Sequence, residues 1–356
     1  MKSLDIIREM TSASGPSGHE AEIKKLIMKN LQNQAEFCQD NLGSLICIKR
    51  GGQDSPRIMI PGHMDEIGFM VNSITKTGFI RFIPLGGWWD QVLLAQKVLI
   101  KTAKGDIPGV IGSTPPHLMT AKDKEKVTEK KNMFIDVGAK DKEEAEKLGI
   151  QLGDAIVPDT TFQVLADKMI MSKALDNRIG CCLFMDTIKE LQGVQHPNTL
   201  YGVGTVQEEV GLRGATTAAN IVEPDICLTV DVTVATDVPG LEKEEPETKL
   251  GAGPVLTLAD ASAISNRSLR HFVINTAREY HIPLQFNTMM GGGTDAGAIQ
   301  KFGPGVPAVV ISMPTRYIHS HYGLIHYDDY KSTLQLLVKL VKGLDQARVE
   351  NIKKGE

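Results

Sequence analysis

Four segments of this chain end an apolar run on residues of the types that can serve as ligands to divalent metals. Arg57-Ile-Met-Ile-Pro-Gly leads into His63-Met-Asp65-Glu66, and Tyr201-Gly-Val-Gly-Thr-Val-Gln leads into Glu208-Glu209. Asp225-Ile-Cys-Leu-Thr-Val leads into Asp231, and the run from Val306 to Met313 leads through Pro314-Thr-Arg-Tyr-Ile to His319-Ser-His321. A fifth candidate, Asp176, lies in Ser172-Lys-Ala-Leu-Asp-Asn-Arg178, where an apolar helix begins. Taken singly, such residues are usually structural; an aspartate at a helix start, for example, is most often a cap. Their shared placement is what matters. Open α/β sheets bind ligands beyond the carboxyl ends of their strands, where loops distant in sequence converge.

Imidazole and carboxylate donors without thiolate suit Zn, Co or Mn. One open catalytic zinc normally takes three protein ligands, so this set is too large for it. It suits a pair of divalent ions about 3.5–4 Å apart that share a bridging carboxylate. With Asp176 as the bridge, His63 and Asp231 complete one site and Glu209 and His319 the other. Glu208 is then left over, and a spare carboxylate beside two ions is what a hydrolase needs to move a proton between water and a leaving amine. Asp65, two residues beyond His63, is placed to orient that imidazole from behind. His321 is either structural or pocket-lining.

Gly291-Gly-Gly-Thr-Asp-Ala-Gly297 lacks the Lys-Ser/Thr of a P-loop and the spacing of a dinucleotide fingerprint. It reads as a tight turn before a helix, or as a loop in which Gly292 and Gly293 bring backbone amides to a substrate with Asp295 nearby. A pocket selective for acidic side chains would need a buried cation, and Lys173, Arg213 and Arg316 are the candidates, each of which could equally pair with a carboxylate.

The elements that position these residues alternate. Leu4 to about Leu31 reads as two helices around the turn Ser12-Ala-Ser-Gly-Pro-Ser-Gly18, and strand-like runs follow at Ser44–Lys49 and Arg57–Ile60. From Lys173 onward helix-like and strand-like segments alternate, the pattern of an α/β fold. Between them, short β-like pieces such as Gly78–Ile83 and Lys97–Thr102 are set among Gly and Pro turns, with a lysine-rich stretch, Lys122 to Lys131, read as a solvated loop. This organisation predicts a main α/β domain of residues 1–72 and 164–356 with a small β-rich domain, 73–163, inserted into it. The tail from Tyr330 to about Lys354 reads as a final amphipathic helix.

Composition narrows the class further. At about 100–200 residues per domain, 356 residues suggest two. Lys and Arg number 39 against 43 Asp and Glu, so the chain lacks the basic excess of a nucleic-acid binder. Charges interrupt the N-terminal residues, where no signal-peptide core follows, and no apolar run is long enough to span a membrane. Five cysteines, without a Cys-x-x-Cys pair, argue against a disulfide framework and fit a reducing cytoplasm.

These motifs resemble metallopeptidase family 42, which includes glutamyl, deblocking and tetrahedral aminopeptidases. The matching segments are Gly62–Phe69, Ser172–Arg178, Val206–Gly214, Val230–Val232, Gly292–Gly297 and Arg316–His321. The resemblance implies a mixed-sheet α/β/α dinuclear metallopeptidase domain with an inserted barrel-like domain. It implies His63, Asp176, Glu209, Asp231 and His319 as ligands of two divalent ions, Zn, Co or Mn, with Glu208 as general base and Asp65 as an accessory catalytic carboxylate. The activity expected is removal of N-terminal residues from peptides by water activated between two metals, with a glutamyl preference as one form of it. The insert would mediate dimer contacts, and six dimers could build a hollow tetrahedral dodecamer. Other readings are a metal-dependent amidohydrolase acting on N-acyl amino acids, the endoglucanase label some relatives carry, and a non-catalytic metal-dependent scaffold, which would have no use for Glu208.

Overall fold

The strand-like runs of the sequence become an eight-stranded mixed sheet. A computed structural model describes residues 3–241 and 248–356. Across the sheet the strands run Glu36–Gln39, Leu45–Arg50, Thr199–Thr205, Arg57–His63, Ile226–Val234, Ala308–Thr315, Val255–Asp260 and Gln285–Met289. The central four, Thr199–Thr205 through Ala308–Thr315, are mutually parallel, and the strands that flank them, Leu45–Arg50 and Val255–Asp260, run antiparallel to them.

These central strands are apolar on both faces, as strands covered on both sides must be. Ile58, Ile60, Leu228, Val230, Val309 and Ile311 point into one core with helices Ser3–Ser12, Ala21–Asn30, Leu175–Glu190 and Tyr327–Gly343. Met59, Cys227 and Val310, one residue out of phase, point into a second core with Arg213–Val222 and Ala296–Ile299. Period-two alternation thus divides the sheet between two helical layers. The two N-terminal helices and the turn between them stand where the sequence puts them.

Six antiparallel strands between Gly68 and Pro158 close a small barrel, in the order Gly68–Ile74, Ile80–Leu85, Phe134–Asp136, Gly105–Gly112, Lys97–Thr102 and Ala155–Pro158. Closure leaves no edge strand unpaired. Its core is Phe69, Val71, Ile80, Val98, Ile100, Ile135 and Ile156.

Two expectations need correction. The tail is two helices, Tyr327–Gly343 and Gln346–Lys354, because Asp345 accepts from the Arg348 amide at 2.8 Å and starts a new helix, with Leu344 buried at the break. The lysine-rich stretch is largely exposed but not simply a loop: it carries the short helix Ala121–Lys124, capped by Thr120, and its Lys130 is anchored to Asp90 and to the Trp88 carbonyl. Among the described residues no helix is long and apolar enough to cross a membrane.

Candidate metal centre

Each of the four strand-end segments delivers its donor to one place. His63 closes the strand Arg57–His63, and Gly62 before it lies so close to the helix backbone at Gly180 that a Cβ would come within 2.6 Å of it. Asp231 lies within the neighbouring strand. Glu208 and Glu209 follow Thr199–Thr205, and His319 follows Ala308–Thr315. Asp176 sits at the start of Leu175–Glu190, where the backbone departs from helical angles (φ −82°, ψ 109°). Left-handed backbone recurs around these residues, at Ala174, Gln207, Leu212, Tyr317 and His319 itself. Such conformations cost of order 1–3 kcal/mol each and concentrate at functional sites.

The central feature is Asp176. Its Oδ1 lies 3.0 Å from His63 Nε2, and its Oδ2 lies 3.4 Å from His319 Nε2. One carboxylate therefore faces two imidazoles with different oxygens. His63, Asp176 and Asp231 offer ligand atoms all within 4.8 Å of one another, as do Asp176, Glu209 and His319. His63 Nε2 is 4.0 Å from Asp231 Oδ1 and 3.8 Å from Glu208 Oε2, while His319 Nε2 is 3.2 Å from Glu209 Oε2. All six residues thus meet, and Glu208 stands beside the first group.

Asp65 sits behind the His63 ring and also has partners the sequence did not indicate. His63 Nδ1 donates to the Asp65 backbone carbonyl at 3.0 Å, and the Asp65 carboxylate is farther, at 3.5 Å. That donation leaves Nε2 as the ring's free lone pair, directed at the cluster. The carboxylate accepts instead from the backbone amides of Glu208 (3.0 Å) and Glu209 (3.1 Å), and from Ser17 Oγ at 2.6 Å. It fixes the turn that presents both glutamates.

Sequence reasoning also missed a buried ion triad beneath the cluster. Lys173 Nζ reaches both Glu66 oxygens at 2.7 Å, and Arg178 Nη2 reaches Glu66 Oε1 at 3.3 Å. Gly15 donates its amide to the same oxygen, so the Ser12–Gly18 turn is tied to the site. The signal was present, since Lys173 and Arg178 bracket Asp176 and Glu66 follows Asp65. Charge pattern alone does not say which of these pairs.

The remaining candidates disperse. Gly292 and Gly293 line the cavity over the cluster. Asp295 is buried beside it without lining it; its Oδ2 accepts from Thr205 Oγ1 at 2.6 Å and its Oδ1 has no partner among the described residues. Arg316 binds Asp237 through Nε and Nη2, at 2.9 and 2.7 Å. His321 is buried against Trp88, ring centroids 5.2 Å apart, and neither ring nitrogen has a partner among the described residues. Burial holds that imidazole neutral, with its pKa lowered to about 4.

The electrostatics fit bound cations. Burial, reinforced by neighbouring carboxylates, pushes the acids of Glu208, Glu209 and Asp231 above the ordinary carboxylate range. Burial opposes charge on His319, yet its bonds to Asp176 and Glu209 raise its pKa to about 11. Four carboxylates around two imidazoles leave an excess of buried negative charge, and Glu209 Oε1 has no partner among the described residues. Buried charge of this kind is stable when it is paired or coordinates a metal. The donor set fits divalent ions.

A helix-covered mixed sheet with an acidic, histidine-containing cluster beyond its strand ends, and a barrel beside it, is the layout of a metallopeptidase. The family model described as M42 glutamyl aminopeptidase matches residues 43–336, and the chain belongs to this family of aminopeptidases. It is 42% identical to FrvX of Escherichia coli K12 over 94% of this chain and 93% of that one. The TET aminopeptidase of the marine-sediment archaeon Thaumarchaeota archaeon SCGC AB-539-E09 superposes with a TM-score of 0.97, at 46% identity over 99% of both chains. The TET1 peptidase of Pyrococcus horikoshii, described as able to assemble into a tetrahedron or a large octahedral shell, gives 0.86 at 34% identity over 96% of this chain and 100% of that one.

Proposed function

We propose that this aminopeptidase removes N-terminal residues from peptides at a centre of two divalent ions, Zn, Co or Mn. His63 and Asp231 would hold one ion and Glu209 and His319 the other, with Asp176 within reach of both. The observation that carries this reading is the division of the Asp176 oxygens between His63 and His319. A pair of ions in such a site supplies Lewis-acid polarisation of a carbonyl and water of lowered pKa.

The chain's own residues do the rest. Glu208, buried and 3.8 Å from His63 Nε2, takes the proton of the attacking water and returns it to the leaving amine. Burial raises its pKa above the ordinary carboxylate range, which favours its holding a proton. Asp65 is the positioning carboxylate: it holds the Glu208 and Glu209 amides and so fixes the backbone that presents both glutamates.

Residues 73–163 act in this reading as an inserted oligomerisation domain. Leu118 (79% exposed), Leu152 (67%) and Val110 (41%) give it apolar surface that association would cover. A homo-oligomer built from dimers, up to a tetrahedral dodecamer, and a cytoplasmic location complete the proposal.

Removing metal with a chelator and restoring Zn, Co or Mn tests the centre on aminoacyl-anilides. Activity should vanish and return. Turnover that survives complete metal removal, with the metal content measured on the same sample, contradicts the reading.

A further inference from the structure

Two cavities large enough to take a side chain adjoin at the cluster; a third, of about 20 Å³ with Lys173 in its lining, is too small for one. One, of about 610 Å³, has the cluster residues as its floor and Leu212, Val232, Val234, Met289 and Ile318 as walls. The other, of about 760 Å³, is walled by Trp88, Trp89, Val92, Tyr317 and His321. They share Gly87, Val234, Ile318 and His319. Both volumes exceed what one side chain needs, so the chemistry of the walls decides what is accepted.

Among the described residues neither cavity has a lysine or arginine in its lining. The three cations the sequence offers are engaged elsewhere. Lys173 is 4% exposed and bonded to both Glu66 oxygens, and Arg316 is held by Asp237 through two bonds. Arg213 donates to the Gln207 side chain at 3.0 Å. Among the described residues the acidic groups that line the cavities, Asp176, Glu208, Glu209 and Asp231, all belong to the cluster, and no further carboxylate there faces a basic side chain. A charged side chain entering either cavity loses water without gaining a counter-charge. An aliphatic or thioether side chain loses water against Leu212, Val234, Met289 and Ile318, which is favourable.

We propose that the enzyme selects peptides with a neutral, apolar N-terminal residue, of leucine or methionine type, over acidic and basic ones. Leu212, Val234, Met289 and Ile318 are the specificity-determining walls. This inference rests on the aminopeptidase reading above, and it sets this chain apart from the glutamyl activity in its family's description.

The test uses metal-loaded enzyme and the p-nitroanilides of Leu, Met, Glu and Lys. The kcat/KM for Leu and Met should exceed that for Glu and Lys about tenfold or more, the scale at which pocket chemistry discriminates. Calorimetry with the free amino acids should rank leucine above glutamate and lysine. Val234→Arg places a guanidinium at a half-exposed strand end shared by both cavities, and the Glu-to-Leu ratio should rise about tenfold. Preference for Glu or Lys in the unmodified enzyme, or a ratio unmoved by Val234→Arg, overturns the assignment while leaving the peptidase reading intact. A loaded enzyme inactive on all four anilides overturns both.

Discussion

The barrel and the sheet edge beside it are built on opposite principles. From Ile67 to Ile170 no polar or charged side chain is buried. Outside that span the buried set includes His63, Asp65, Glu66, Lys173, Arg178, Glu208, Asp231 and Asp295. The barrel keeps its charges on the surface, as in the pair Lys101–Asp106, and rests on apolar burial. The sheet edge holds charge where it is expensive, and buried ion pairs are weak stabilisers. Functional sites are where a fold breaks its own packing rules. The two meet at Gly87, where a Cβ would lie 3.0 Å from the His319 ring, and through Trp88, stacked on Phe69 at 4.8 Å and facing His321.

This contrast can be broken from the charged side first. Asp176→Ala should abolish measurable turnover and empty both ion sites, read by metal analysis; a variant that keeps either ion would show that Asp176 is no bridge. Glu208→Gln should keep its metal and lose about 10²–10⁴-fold in kcat. Near-normal kcat in that variant would remove the general base from the account.

Stability separates the regions next. Glu66→Leu strands Lys173 and Arg178 without a counter-charge and should cost about 3–5 kcal/mol in urea unfolding, the scale for breaking a buried pair. Ile100→Ala in the barrel should cost about 2–5 kcal/mol through a cavity, with kcat unchanged. A large kcat change from Ile100→Ala would mean that the barrel does more than support the site. Chelation should raise amide exchange near His63, Glu208 and Asp231 and leave the strands Lys97–Thr102 and Gly105–Gly112 unaffected. At the small end, Lys101→Ala removes a surface pair worth about 0–1 kcal/mol and should barely move the unfolding midpoint.

The convergence of the candidate residues was more legible in the sequence than the residues that support them. Strand-end donors were legible because residue type and the preceding apolar run both point to the carboxyl edge of a sheet. The direction of a side chain was not legible. Asp65 does lie against the His63 ring, but nothing in the sequence said that its carboxylate would also hold the Glu208 and Glu209 amides. Ser17 and Gly15, far upstream in a turn rich in small residues, gave no chemical signal, yet they bond Asp65 and Glu66. Arg316 read equally well as a pocket cation, and only the fold brings Asp237 to it. The α/β class was legible from alternating elements, whereas closure of the barrel depends on pairings between strands distant in sequence, such as Lys97–Thr102 with Ala155–Pro158. The break in the last helix turned on one capping aspartate, Asp345, inside an otherwise continuous amphipathic pattern.

Anomalous diffraction from crystals of the Zn-loaded enzyme tests the central claim most directly. The account predicts two peaks per chain, one between His63 and Asp231 and one between Glu209 and His319, with Asp176 contacting both. A single peak, or peaks away from Asp176, would contradict it.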